Sequence, residues 1–230
     1  MNLPFLQIEM PAEATPAAVP TEPVATEQTM TIIDLMFSGG IGGQIIMGSM
    51  LVLSVLMVYI FVDRWSAIKR ASKLDDKFMR DIKDFIAAGN MQSALNTCER
   101  SDTPVARMIA KGIKRIGKPL SDISASIENQ GKLEIQQLER NMPYLATIAG
   151  GAPMIGFLGT VIGMILSFRE MANAGAGVQV DMLAEGIYVA LTTPVAGLIV
   201  GIIAYFAYNY LVMRVESVIY KMEVSATEFL

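Results

Sequence analysis

YLATIAGGAPMIGFLGTVIGMILSF, residues 144–168, contains no charged side chain in 25 consecutive positions. At about 1.5 Å per helical residue, a run of that length exceeds the roughly 30 Å of hydrocarbon in a bilayer. Within it, Ala149, Ala152, Gly156, Thr160, Gly163 and Ser167 recur every three or four residues. Small and hydroxyl side chains therefore share one helical face, while Ile155, Phe157, Ile162 and Leu166 lie on others. Glycine weakens an isolated helix, so a face built from it is suited to a close approach by another backbone.

Two further uncharged runs flank this one, IGGQIIMGSMLVLSVLMVYIFV at 41–62 and GIYVALTTPVAGLIVGIIAYFAYNYLVM at 186–213. The whole chain fits that picture: 230 residues, 53% hydrophobic, mean hydropathy +0.45 and no histidine. Such a composition marks an integral membrane protein. No signal peptide is expected, because the first apolar run begins far from Met1 and no basic region precedes it. A net charge of −4 without clustered basic and aromatic residues gives no footprint for nucleic acid. Cys98 is the only cysteine and there is no histidine, so neither an internal disulfide nor a Cys/His metal site is expected, and no cofactor motif is present.

Charge asymmetry sets the expected topology. Residues 1–63 carry no Lys or Arg, whereas 64–143 carry 15 of the 18. The positive-inside rule then places the N-terminus outside and the basic segment in the cytoplasm. The expected fold is an all-α membrane protein with three transmembrane helices, whose long helices extend into a cytoplasmic helical domain. Its divisions are a flexible external tail (1–30), an interfacial lead-in (31–40), a first transmembrane helix (41–63), a cytoplasmic helical domain (64–143), a second transmembrane helix (144–170), an external loop (171–182), a third transmembrane helix (183–213) and a short cytoplasmic tail (214–230). The stretch TIIDLMF (31–37) reads equally well as an interfacial helix or as a helical entry to the first span. Trp65, Tyr144, Tyr205, Tyr208 and Tyr210 lie near the expected membrane boundaries, where aromatic rings anchor a span.

In the basic segment, residues 64–88 are expected to continue the first helix, Gly89-Asn90 to break it, and SDTP (101–104) and GKPL (117–120) to form turns, with Ser121 as an N-cap. The spacing of Ile135, Leu138, Met142 and Leu145 predicts one helix from about 121 to 170, kinked by Pro143. Glu128, Glu134 and Glu139 interleave with Lys132 and Arg140 as a solvated helix face does, and no catalytic constellation stands out. An enzyme is not expected.

The third span repeats the small stripe through Gly186, Ala190, Thr193, Gly197, Gly201 and Ala204. Tight helix packing of the small-xxx-small type accounts for both stripes, and each threonine can bond back to its own helix. A second reading makes them the walls of a narrow polar path. Pro194 has no N–H, so the carbonyl of Ala190 loses its helical donor one turn from the Thr193 hydroxyl, and a free acceptor at membrane depth is tolerable only where it faces protein or a wet cavity. No Asp, Glu, Lys, Arg or His occurs in 41–62, 144–168 or 186–213. Hydroxyls orient water but do not titrate near neutral pH. Proton conduction would therefore require a carboxylate from a partner.

These residues resemble the MotA/TolQ/ExbB family of proton-channel subunits. Residues 144–168 look like the family's second-span signature, and GIYVALTTPVAGLIVGIIAYFAYN (186–209) is similar to its third-span motif. The resemblance runs from the first span to the C-terminus and excludes the external tail. It implies a stator in a bacterial inner membrane: a homopentamer around a dimer of a single-span, ExbD-like partner that supplies a membrane Asp, driven by the proton motive force. It also implies pore-lining roles for Thr160 and for Thr193, Thr192 or Pro194, with Gly156, Gly163, Ala190, Gly197 and Gly201 forming the packing or pore stripe. Pro194 falls where a pore threonine stands in the family, and the helical stripe selects Thr193 over Thr192. Val189 replaces a glutamate of ExbB-like members, with Glu185 one turn away. Three spans with an external N-terminus favour the ExbB/TolQ branch over four-span flagellar stators, and the long tail favours ExbB, which implies a TonB-like protein as a further partner.

Overall fold

The computed structural model describes residues 40–73, 76–173 and 180–230. The expected tail and nearly all of the lead-in lie outside the described residues, as do positions 174–179 of the expected 171–182 connection. Seven helices follow in order: α1 (Gly40–Ala71), α2 (Asp76–Ala87), α3 (Met91–Ser101), α4 (Pro104–Ile113), α5 (Leu120–Glu139), α6 (Met142–Asn173) and α7 (Val180–Phe229). No strand occurs among the described residues. Three of the helices, α1, α6 and α7, contain segments long and apolar enough to cross a membrane, and these match the three uncharged runs of the sequence.

The short helices form a bundle beyond the ends of the spans, and its turns follow local chemistry. Gly89 adopts φ +72°, a conformation that only glycine takes without strain, and the Asn90 side chain then accepts a hydrogen bond from the Ser93 N–H to start α3. Thr103 caps α4 in the same way, accepting from the Ala106 N–H at 3.3 Å, and Pro104 opens the helix. Gly117, at φ +94°, makes the turn into α5.

Three details depart from the sequence reading. The first helix stops at Ala71 rather than running to 88. The N-cap of α5 is Pro119, with no side-chain capping bond, so Ser121 lies inside the helix. The long helix expected over 121–170 is broken at Arg140 and Asn141, the latter in a left-handed conformation at φ +68°. An unbroken helix would have lost the bond from residue 143 to the carbonyl of Glu139 and would have pressed the proline ring against that carbonyl. Breaking two residues earlier puts Pro143 in the first turn of α6, where no N–H is required. Asn141 is among the few residue types that occupy this backbone region readily.

Residues 214–229, in the stretch expected to be a short cytoplasmic tail, are helical. They complete α7, a helix of 50 residues and roughly 75 Å. Leu211, Val215, Val218, Met222 and Ser225 recur at three- and four-residue steps and are all buried, so the last turns of α7 form the spine of the extramembrane bundle. Against that spine pack α2, α4 and α5, which bring Ile82, Ile109 and Ile127 into the same core, and α3 adds Ala94 and Cys98 by packing on α2 and α4. Gly112 lets three elements meet: a Cβ placed there would stand 2.7 Å from Cδ1 of Ile127 and 2.8 Å from Cε1 of Phe229.

Candidate functional site

The two small stripes face each other. A Cβ on Gly156 of α6 would lie 2.9 Å from the Thr193 carbonyl oxygen and 3.0 Å from Cα of Pro194, and one on Gly163 would lie 2.9 Å from Cβ of Ala190. From the other side, a Cβ on Gly197 would stand 2.6 Å from the Ala152 carbonyl oxygen, and one on Gly201 would stand 2.6 Å from Cγ of Pro153 and 3.0 Å from the Ala149 carbonyl oxygen. These separations are below any normal Cβ contact, so the α6 and α7 backbones meet at a distance that only glycine permits. Most of each stripe forms this seam between spans of the same chain. Pro153 and Pro194 interrupt the hydrogen-bond ladder of their helices within it.

Both threonines lie in the seam and are buried, Thr160 at 7% and Thr193 at 5% exposure. The Thr193 Oγ1 is 3.1 Å from the Ala190 carbonyl oxygen, the acceptor left without a helical donor by Pro194, and 3.2 Å from the Gly156 carbonyl oxygen of α6. Thr160 Oγ1 reaches the same Gly156 oxygen at 3.5 Å. Two hydroxyls therefore converge on one backbone carbonyl at the α6–α7 crossing. Neither hydroxyl is ionisable near neutral pH, and both act as donors to backbone carbonyls.

Thr192 is elsewhere. It is half-buried and lines a groove of about 640 Å³ between α1 and α7, with Met47, Met50, Ser54 and Val195. The structure thus unites Thr160, Thr193, Gly156, Gly163, Ala190, Pro194, Gly197 and Gly201 at one seam and separates Thr192 from it. Gly186 falls within α7, but its immediate surroundings, like the side chains of Glu185 and Val189, lie outside the described residues. Two seam residues were missed in the sequence. A Cβ on Gly159 would lie 2.5 Å from the Thr193 Oγ1, and steps of four, three and four through Ala152, Gly156, Gly159 and Gly163 could have revealed it. Pro153 could have been found by the same missing-donor reasoning as Pro194.

Outside the spans, Glu134 departs from the solvated-face reading. It is only 2% exposed and receives Arg107 in a two-pronged bond, Nε to Oε1 at 2.9 Å and a terminal nitrogen to Oε2 at 2.6 Å. Gln130 adds a third donor at 2.8 Å, and Arg107 also grips Asp102 Oδ1 at 2.7 Å. The bond to Glu134 holds the Arg107 guanidinium even more firmly protonated than usual. This bidentate pair, buried on the Glu134 side and partly exposed at Arg107, fastens α4 to α5. Glu128 and Lys132 behave as expected, forming an exposed i,i+4 pair at 2.8 Å.

An all-helical protein with three membrane-length helices, two of them joined by a glycine seam carrying hydroxyls, belongs to the class of multi-span membrane proteins packed through small residues. The family model described as the MotA/TolQ/ExbB proton channel family matches residues 100–224, more than half of the chain, and the chain belongs to that family. It is 28% identical over 197 residues to an ExbB homologue of Methanothermobacter thermautotrophicus, covering 84% of this chain and 67% of that one. To the Tol-Pal system protein TolQ of Pseudomonas aeruginosa it is 27% identical over 219 residues, covering 90% of this chain and 94% of the relative. To the biopolymer transport protein ExbB of Aquifex aeolicus it is 36% identical over 110 residues, covering 47% of this chain and 72% of that protein.

Proposed function

We propose that this chain is an ExbB-like stator subunit of a bacterial inner membrane, with its N-terminus outside and its bundle in the cytoplasm. Five copies surround a dimer of an ExbD-like single-span protein, and the assembly uses the proton motive force to energise a TonB-like protein and, through it, outer-membrane transport. The observation that carries this reading is the pair of buried hydroxyls, Thr160 and Thr193, converging on the Gly156 carbonyl within runs (144–168 and 186–213) that hold no Asp, Glu, Lys, Arg or His. In this mechanism a proton enters from outside and neutralises the partner's carboxylate beside the threonines, whose hydroxyls orient the water that delivers it. The neutral carboxyl tolerates the low-dielectric wall, and release of the proton to the cytoplasm restores its charge. That alternation changes which subunit the partner prefers and so rotates or rocks it. Each proton crossing 100 mV releases about 2.3 kcal/mol.

Thr160→Val preserves volume and removes the hydroxyl. The expected outcome is normal assembly of the complex with energised uptake reduced at least about tenfold, a loss within the range for removal of a proton-handling group. Uptake at the wild-type rate in a correctly assembled Thr160→Val complex would refute the role. A TolQ-like role in envelope maintenance is the second reading, favoured by the near-complete overlap with the Pseudomonas aeruginosa relative. Complementation of strains lacking one or the other subunit distinguishes the two. A non-conducting scaffold, in which the seam only packs helices, predicts that Thr160→Val is silent in transport.

A further inference from the structure

A second cavity, of about 380 Å³, opens between the end of α1 and the middle of α7, lined by Trp65, Lys69, Lys73, Tyr210, Arg214 and Ser217, with Ile68 and Ser72 at its back. It is lined, among the described residues, by three cations and no carboxylate. Among the described residues, Asp63 pairs with its neighbour Arg64, whose other contact is the Gln137 carbonyl of α5, and Glu216 is exposed and does not line the space. Just beyond the cavity, Lys221 donates to the Ser72 carbonyl at 3.3 Å, which brings a fourth cation beside it.

The depth of the cavity is informative. Val62 and Met213 are the last residues of the uncharged first and third runs, so Arg214 and Trp65 sit within about 5 Å of the hydrocarbon edge, in the headgroup layer. Lys69 lies about 10 Å along the helix from that edge, but its ammonium folds over the Trp65 ring, 5.2 Å from the centroid, and Arg214 is held 5.2 Å from the Tyr210 ring with Nε 3.1 Å from the Tyr210 hydroxyl. Toward the membrane, Val62 on α1 and Phe206 and Met213 on α7 are exposed and apolar, offering surface for acyl chains. We propose that this cavity binds the headgroup phosphate of an anionic glycerophospholipid such as phosphatidylglycerol, with Arg214 and Lys73 on the phosphate, Ser217 on the glycerol hydroxyls, and the acyl chains along the α1–α7 face. The assignment needs only that the chain crosses a membrane, and it stands independently of the stator reading.

Trp65 is the only tryptophan, so its fluorescence reports this site alone. In phosphatidylcholine vesicles containing the full chain, brominated phosphatidylglycerol is expected to quench Trp65 with an association constant at least about fivefold above that of brominated phosphatidylcholine. Arg214→Gln with Lys73→Gln, which leaves Lys69 on the indole, should bring the two lipids to near equality, whereas Arg214→Lys should retain the preference. Lys111→Gln with Lys114→Gln removes the same charge from α4 and should change nothing. Equal quenching by both lipids in the wild type, or a preference that survives in the cavity variant, overturns the proposal. Loss of the preference in the α4 variant to the same degree indicates diffuse surface attraction and also overturns it. Inorganic phosphate at millimolar concentration should leave the lipid quenching intact, and its displacement of the lipid would assign the cavity to a soluble phosphate instead. Circular dichroism of each variant checks that the helices are retained.

Discussion

Gly197 and Gly48 are both glycines within apolar helices, yet a Cβ on the first would meet the Ala152 carbonyl oxygen at 2.6 Å and one on the second would meet nothing within 4 Å. Gly197→Ala must push α6 and α7 apart, because the obstacle is backbone, and is expected to cost about 1–3 kcal/mol. Gly48→Ala should be neutral or slightly stabilising, since alanine is the better helix former. Thermal melts of the detergent-solubilised chain read both outcomes. Cys98 offers a second residue-level expectation. Burial first, and then the neighbouring Glu99 charge, push its thiol from the ordinary value near 9 up to about 11. A raised pKa means that the protonated thiol favours the fold, so its contribution is complete below about pH 9 and disappears as the pH rises through about 11. A stability profile that falls over that window in the wild type but less steeply in Cys98→Ala is the expected measurement. Because the thiolate is the reactive form, alkylation at pH 8 should proceed only as fast as the chain unfolds. At this scale the sequence already carried the seam, since glycine recurring at helical steps has few other uses in a span. It did not carry which side of the stripe was closest: periodicity could place Gly159 on the stripe, but its pairing with Thr193 came from the docked backbones.

Among the elements, the α4–α5 connection rests on the Arg107–Glu134 clasp. Removing one member leaves the other without its partner, and because Glu134 is buried while the Arg107 side chain is 39% exposed, the two substitutions should differ. Arg107→Met leaves a carboxylate held only by Gln130 and is expected to destabilise the bundle by about 2–4 kcal/mol, toward the lower end of the range for broken buried pairs. Glu134→Gln keeps an acceptor for the guanidinium and should cost about 1–2 kcal/mol. Chemical denaturation of both variants tests the ordering. The clasp was hidden in the sequence because the partners are 27 positions apart across a turn, whereas the charge alternation around Glu134 looks the same on a wet face and on a half-buried one. The break at Asn141 was obscured differently. Proline marked the region, but its steric demand was met two residues upstream by an asparagine whose left-handed backbone leaves no periodic trace. The turns at Gly89 and at Thr103-Pro104, by contrast, follow from local capping chemistry and were legible directly.

For the molecule as a whole, the small side chains turn inward and the bulky ones outward. Phe157, Leu158, Val161 and Ile165 on α6 and Leu191, Val195, Leu198 and Ile202 on α7 are exposed, so the single chain presents apolar surface for lipid or for further copies and keeps the Thr160 and Thr193 hydroxyls in the seam. With no Asp, Glu, Lys, Arg or His in the three runs, the chain reconstituted alone in liposomes is expected to show proton leak no greater than that of empty vesicles, and regulated flux only when the single-span partner is added. A pH-sensitive dye trapped in the vesicles measures this, and a gated current from the chain alone would end the two-component mechanism. Its three-span, all-helical plan was readable from hydropathy and charge. Less readable was that α7 does not end at the membrane. A continuous helix from Val180 to Phe229 behaves as a stiff lever: the stretch from mid-span near Val200 to its end measures about 44 Å, so a tilt of about 5° in the bilayer swings the far tip by roughly 4 Å. Since that tip is wedged against Gly112 and Ile127, small rocking inside the membrane is geared up into displacement of the whole bundle, and freezing the lever at its tip should stall motion at its fulcrum.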